Sequence, residues 1–257
     1  MTNPPRRILI TGAGSGLGRG LGLCLAQEGH TILATDANLD SARETAAQII
    51  AAQGRVEAHA LDVTAESDIR RCLDALGDSR IDVLINNAGL QHVARVADYP
   101  LEKWDRLMDV MLRGTFLLTQ AVLPRMRAQG FGRLIHIGSI HSLVASPGKS
   151  AYVAAKHALL GFSKALALET GDVDITTNTI CPAYLRTPLV DAQIRDQARL
   201  RGLSEEDVIQ RVMLEPMPKK AFITFEEIAA VCSFLMSHAA RNVTAQAIAI
   251  DGGWTAQ

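Results

Sequence analysis

The sequence predicts an α/β fold, a single domain built on a parallel sheet with helices on both faces. Three observations predict it. Short β-rich runs alternate with longer helical ones from end to end, the β-rich runs are almost continuously apolar, and no linker, repeat or low-complexity tract divides the 257 residues. A strand that is apolar along its whole length must be buried on both faces, as it is between two helix layers. Length alone suits one large domain or two small ones. The unbroken alternation favours one domain, 1–257.

The elements follow in order. Arg7–Thr11 is a short apolar strand, and the glycine-rich TGAGSGLG after it opens a helical pattern. Thr31–Asp36 is the second strand, Leu39–Gln53 has helical spacing, and Val56–Val63 is the third strand. Glu66–Leu76 is helical, Ile81–Asn86 is the fourth strand, and Leu101–Met126 is one long helix. Arg133–Ser139 and Ile175–Cys181 are strands flanking the helix Tyr152–Glu169, and Phe225–Ser237 is a helix before the last strand, Ala247–Asp251. Thr187–Ala221 breaks the pattern: it is rich in Arg, Asp and Glu and ends near Pro216 and Pro218. A connection of that length usually has a function, here that of a lid over a site at the strand ends. Tyr152–Glu169 is apolar or small almost all the way round, so one sheet face does not cover it, and the sequence predicts a homo-oligomer with this helix at the interface.

A composition of 48% hydrophobic and 21% charged residues with a net charge of −1 gives no electrostatic case for nucleic acid or an anionic membrane as partner. The apolar run in MTNPPRRILITG is too short for a signal-peptide core or a membrane span. Cys24, Cys72, Cys181 and Cys232 have no paired spacing that suggests zinc or a redox dithiol, and read as free thiols of a cytoplasmic protein. The histidines show no HExxH or carboxylate-paired spacing, so no metal is predicted; His136, inside a strand, reads as a packed core residue.

TGAGSGLG, Thr11–Gly18, lies between a strand and a helix, where glycines let the backbone approach a pyrophosphate that the helix N-terminus then holds. Its spacing is Gly12-xxx-Gly16-x-Gly18 rather than GxGxxG. Asp36, at the end of the second strand, is placed to accept hydrogen bonds from adenosine ribose hydroxyls and to repel a 2′-phosphate. Ala37 follows with no adjacent arginine to receive that phosphate, which favours NAD over NADP. Asp62, before Val63, is placed either to touch the adenine or to cap the helix at Glu66.

With NNAG at Asn86–Gly89, Ser139, and Tyr152-xxx-Lys156, the glycine turn completes a set that resembles the short-chain dehydrogenase/reductase family over essentially the whole chain. The resemblance implies a Rossmann-type, doubly wound seven-stranded sheet, usually tetrameric, that moves hydride between NAD(P) and an alcohol or ketone. It implies cofactor contacts at Gly12, Ser15, Gly16, Leu17, Gly18, Asp36, Asp62, Val63, Asn87, Ala88, Gly89, Tyr152, Lys156, Pro182 and Thr187, and catalysis by Ser139, Tyr152 and Lys156. Tyr152 and Lys156 are four residues apart and share a helix face. An ammonium beside a phenol favours phenolate, so Lys156 is expected to lower the Tyr152 pKa and make it general base for alcohol oxidation and general acid for ketone reduction.

LQHV at 90–93, SIHSLV at 139–144, GKSAYVAAKHALLG at 148–161, TPLVDAQI at 187–194 and DGGWTAQ at 251–257 are similar to one branch of the family, the D-3-hydroxybutyrate dehydrogenases. That likeness implies a substrate carboxylate held by Gln91, His141, Lys149 and Gln193, with Ser139 and Tyr152 at the reacting oxygen. A cation with amide and imidazole donors suits an anion.

Three positions depart from the pattern. In VMLRGTF, Met111 stands where the family has a fourth catalytic residue, an asparagine that holds a water linking the lysine to solvent; a thioether donates nothing. Ala183 replaces a glycine, and Tyr184 stands where the hydroxybutyrate enzymes have tryptophan, keeping an aromatic wall but adding a hydroxyl that wants a partner. Trp254 matches. The leading expectation is an NAD-dependent dehydrogenase acting on D-3-hydroxybutyrate and acetoacetate. The alternatives are the same chemistry on another small anionic alcohol or ketone, or a weakly active NAD-binding regulatory protein, which Met111 alone supports.

Overall fold

A computed structural model describes residues 4–256; the first three residues and Gln257, the end of the DGGWTAQ stretch, lie outside the described residues. Seven strands form one sheet: β1 (Arg7–Thr11), β2 (Thr31–Asp36), β3 (Arg55–Ala60), β4 (Val83–Asn86), β5 (Phe131–Ile137), β6 (Asp174–Pro182) and β7 (Ala247–Ile250). Their order is β3-β2-β1-β4-β5-β6-β7, and every pairing is parallel. Between them run α1 (Gly16–Gln27), α2 (Leu39–Ala51), α3 (Glu66–Ala75), α4 (Leu101–Met108), α5 (Gly114–Ala128), α6 (Ser150–Glu169), α7 (Pro188–Arg201), α8 (Glu205–Val208) and α9 (Phe225–Met236). Two buried clusters pack on opposite faces: Ile8, Ile10 and Ile32 with the residues of α1 and α9, and Leu9, Leu33 and Leu84 with those of α3 and α5. Alternate residues of each strand thus serve opposite faces, which is why the strands read as continuous apolar runs.

The strand order reverses between β1 and β4. The helices that follow them, α1 and α4–α5, pack on opposite faces of the sheet, and the connections leave a crevice at the carboxyl ends, the usual ligand position in open α/β sheets. Thr11, at the end of β1, ties the two strands together. Its Oγ1 accepts from Asn87 N at 2.9 Å and Ala88 N at 3.0 Å, and its carbonyl accepts from Asn87 Nδ2 at 2.8 Å.

Three expectations need correction. β3 stops at Ala60 rather than Val63, because the Asp62 carboxylate bends the chain by accepting from Thr64 N (2.9 Å) and Thr64 Oγ1 (2.7 Å). The same bonds leave Asp62 outside the capping position of α3, which Ala65 occupies without a side-chain bond. The long helix at 101–126 is interrupted by a π-helical turn, Asp109–Arg113, between α4 and α5.

The 187–221 connection is folded. Thr187 caps α7 by accepting from Val190 N at 3.3 Å, and Gly202, at φ 64°, ends that helix. Val190, Ile194, Val208, Met213 and Met217 are buried in the same cluster as the sheet. On α6, Leu168 is 87% exposed, and Phe116 of α5 is half exposed beside Phe162.

Candidate active site

One cavity of about 460 Å3 runs along the carboxyl ends of the strands and joins two chemically different ends. The first is made mostly of main chain. Gly12 (φ 63°) and Gly16 (φ 51°) adopt left-handed backbone, so the loop curls under the cavity and delivers the N-terminus of α1 to it, with Ser15, Gly16 and Leu17 in the wall. Ser15 makes no side-chain capping bond, which leaves the first amides of the helix for an anion. Asp36 is fixed by accepting from Gly14 N (3.0 Å) and Asn38 N (2.9 Å), and it reaches the same wall. These residues fit a dinucleotide: a helix terminus for phosphate and a carboxylate for ribose hydroxyls.

Gly18 is a correction. It does not line the cavity; a Cβ there would meet Gly12 O at 2.2 Å and Asn87 Nδ2 at 2.6 Å, so its task is to let α1 pack behind the loop. Every other residue expected at the cofactor, including Asp62, Val63, Asn87, Ala88, Gly89, Pro182 and Thr187, borders the cavity. Arg106 was not foreseen. It faces Asp62 at 3.7 Å across the rim and donates to Thr64 Oγ1 at 3.2 Å.

Midway lie Ser139, Tyr152 and Lys156. Ser139, two residues beyond β5, caps a 3-10 turn at Ile140–Ser142, its Oγ accepting from His141 N at 3.1 Å while its own amide donates to Ser142 Oγ at 3.2 Å. Lys156, one helical turn after Tyr152, is buried and donates to Ile137 O at 2.6 Å. Burial lowers its pKa to about 8. The Tyr152 phenol does not follow the sequence expectation. Burial pushes it above its ordinary value, a hydrogen bond from Ser139 works in the other direction, and Lys156 is not among the groups that move it. The reason is geometric: the ammonium is engaged by the Ile137 carbonyl and stands 5.6 Å from the centre of the tyrosine ring, so desolvation prevails.

The far end is built from side chains. Lys149, the residue before α6, is a cation with no carboxylate partner among the described residues; burial lowers its pKa to about 8. Its Nζ lies 3.5 Å from Tyr184 Oη. His141 sits edge-on to Tyr152 and Trp254 and shares a 2.8 Å hydrogen bond with Ser146 through Nε2; burial lowers its pKa to about 4, so it is neutral at pH 7. Gln91 Oε1 is buried without a hydrogen-bond partner, and Gln193 of α7 reaches the wall. Trp254 backs this end by packing against His141 and Tyr184. Asp251 accepts from Gly253 N and Thr255 N, and Gly252 and Gly253 take positive φ, which folds the chain back so that the indole meets Tyr184 at 5.8 Å.

Met111 lies in the π-helical turn, buried at 1% exposure and outside the cavity wall; its sulfur packs behind Gly89. His136 is fully buried, as the sequence implied, in a chain of bonds from Asn86 Nδ2 (3.1 Å) to Thr177 Oγ1 (3.2 Å). Among the described residues there is no cluster suited to a metal, and no helix is long and apolar enough to cross a membrane. All four cysteines are free.

A family model described as enoyl-(acyl carrier protein) reductase matches residues 12–255. The chain is 42% identical over 253 residues to a D-beta-hydroxybutyrate dehydrogenase of Rhizobium meliloti (strain 1021), covering 97% of this chain and 98% of that one. It is 41% identical over 253 residues to the Cupriavidus necator enzyme of the same name, covering 97% of both. Among solved structures, a putative 2-deoxy-D-gluconate 3-dehydrogenase from Agrobacterium tumefaciens with bound NADP superimposes with a TM-score of 0.85 at 31% identity, covering 98% of this chain and 97% of the other.

Proposed function

Because the chain belongs to the short-chain dehydrogenase/reductase family, we propose that it is an NAD-dependent oxidoreductase interconverting a small hydroxy acid and its keto acid, D-3-hydroxybutyrate and acetoacetate before others. The observation that carries the reading is Lys149: a cation without a carboxylate partner among the described residues, in the wall of the cavity that Tyr152 and Ser139 also border. Lys149 is half-buried, and taking an ammonium part-way out of water without a counter-charge is unfavourable unless a ligand brings the anion. The two hydroxybutyrate dehydrogenase relatives support the same substrate class.

Asp36 supports NAD. A carboxylate at the end of β2 suits ribose hydroxyls and repels a 2′-phosphate, and bonds from Gly14 N and Asn38 N hold it in the cavity wall. When bound, the nicotinamide donates or accepts the hydride and, when oxidised, carries a positive charge. Tyr152, a neutral phenol in this cavity, is ready as it stands to give a proton to the oxygen of a ketone. For alcohol oxidation it must be phenolate, and a positive ring nearby acts in that direction. Ser139 donates to the reacting oxygen, and Lys156, with two ammonium protons left beyond its bond to Ile137 O, holds the nicotinamide ribose. We place the protein in the cytoplasm as a homotetramer, on the strength of its free thiols and the apolar surface at Phe116, Phe162 and Leu168. A monomer in sedimentation at micromolar concentration contradicts the tetramer.

Oxidation of NADH and of NADPH against acetoacetate, longer 3-oxo acids and neutral ketones tests the reading. Turnover of 3-oxo acids with NADH supports it. Turnover of neutral ketones alone, or with NADPH alone, overturns it.

A further inference from the structure

We propose that Tyr184 is a substrate-binding residue, its hydroxyl joining the Lys149 ammonium as a two-point fork for the acid group. The inference rests on the reading of this cavity as a hydroxy-acid site, and it adds a hydroxyl contact that the likeness to hydroxybutyrate enzymes does not supply, since the tryptophan there carries an indole N–H and no hydroxyl.

The ring of Tyr184 has little freedom. The residue lies just beyond β6, its carbonyl accepts from Ile223 N at 2.9 Å, and the next residue, Leu185, pairs with Ile223 as a β-bridge. On one side the ring packs against Trp254, at 5.8 Å and 37°. On another it is met by Lys149, whose Nζ is 5.5 Å from the ring centre and 3.5 Å from the hydroxyl oxygen.

Donor and acceptor inventory then decides the roles. An ammonium has three protons and no lone pair, so Lys149 can only donate and Tyr184 Oη can only accept in their shared contact. Burial holds the Tyr184 phenol above its ordinary pKa, so it keeps its own proton. Among the described residues no side chain or carbonyl takes that proton. Both groups border the same cavity as Ser139 and Tyr152. Two adjacent donors, one charged and one neutral, match the paired oxygens of a carboxylate, which accepts at both. The fork also favours an acid over a ketone of the same shape, whose methyl group would shield both donors from water and leave them unpaired.

Tyr184→Phe tests this, because it removes the hydroxyl and keeps the ring. The comparison measures KM for acetoacetate and for 2-pentanone, the inhibition constant of butyrate (a carboxylate with no reacting oxygen), and the Kd for NADH, in wild type, Tyr184→Phe and Lys149→Met. The fork predicts that Tyr184→Phe raises acetoacetate KM and the butyrate constant by about tenfold, the size of a lost bond to a charged group. 2-Pentanone KM does not rise, since the variant removes a donor that this ketone leaves unpaired, and NADH Kd stays at its wild-type value. Unchanged acid constants in Tyr184→Phe, with raised ones in Lys149→Met, overturn the fork and leave the acid site standing. Unchanged constants in both variants overturn the acid site as well. Equal weakening of acid and neutral ketone shows that the hydroxyl only positions the wall, and also overturns the fork.

Discussion

At one end of the cavity the surface is main chain: the Gly12–Gly16 turn, the start of α1, and an aspartate bonded to a loop amide. At the other end it is side chains from five separate places in the chain: Gln91, His141, Lys149, Tyr184 and Gln193. The difference is one of tolerance. A backbone cradle requires glycine at left-handed positions and admits few substitutes, whereas a wall of side chains can change its ligand by one replacement and leave the fold intact. The first end therefore marks the general chemistry of the chain, and the second marks its substrate.

The sharpest way to break the comparison is to remove the group that both ends serve. Tyr152→Phe is expected to lower kcat by about 10²–10⁴-fold, the range of general acid catalysis, while NADH titration stays near wild type. A comparable loss in NADH affinity would show that the tyrosine organises the cavity rather than the proton.

Gly18→Ala attacks the main-chain end alone. With its Cβ 2.2 Å from Gly12 O, the loop must move. Chemical denaturation is expected to show a loss of about 1–3 kcal/mol, typical of overpacking, together with weaker NADH binding. A variant with wild-type stability and affinity would show that the loop is compliant.

The side-chain end is sensitive to pH. Lys149, lowered by burial to about 8, is charged below that value and neutral above it. Its contribution to acid binding is therefore present at pH 7 and lost as pH rises through about 8, so the KM ratio of acetoacetate to 2-pentanone is expected to rise there. Lys156 titrates in the same range, but it serves both substrates and cancels in the ratio. A ratio flat to pH 10 would remove Lys149 from the substrate.

Met111→Asn gives the smallest effect. The position is buried behind Gly89, and asparagine there supplies a donor and an acceptor that the thioether lacks. Turnover is expected to rise by no more than about tenfold, on the scale of a single hydrogen bond, with the fold intact. An unchanged or lower rate shows that Met111 is neutral or required.

How much of this was legible in the sequence follows the same division. The order of elements, the glycine turn and Asp36 are local patterns, readable because backbone geometry imposes them over a few residues, whereas helical spacing puts Tyr152 and Lys156 on one face and only the family resemblance marks the pair as a site. Gly18 looks like its neighbouring glycines in sequence and differs only in what lies behind it. The π-helical turn at Asp109–Arg113 leaves the apolar spacing of 101–126 intact, so periodicity does not reveal it. The Tyr184–Lys149 contact joins residues separated by 35 positions, and the 187–221 segment is charged in composition yet sends Val190, Ile194 and Met213 into the core. The Tyr152 pKa is set by burial against a hydrogen bond from Ser139, with Lys156 already bonded to Ile137 O, a balance that only coordinates can weigh.

The most direct test of the central claim, that Lys149 makes this cavity an acid site, is kcat/KM with NADH for acetoacetate relative to 2-pentanone, in wild type and in Lys149→Met. The account predicts a wild-type preference for the acid that falls about 10- to 100-fold in the variant, the cost of losing a charged hydrogen bond. An identical ratio in the two proteins would contradict it.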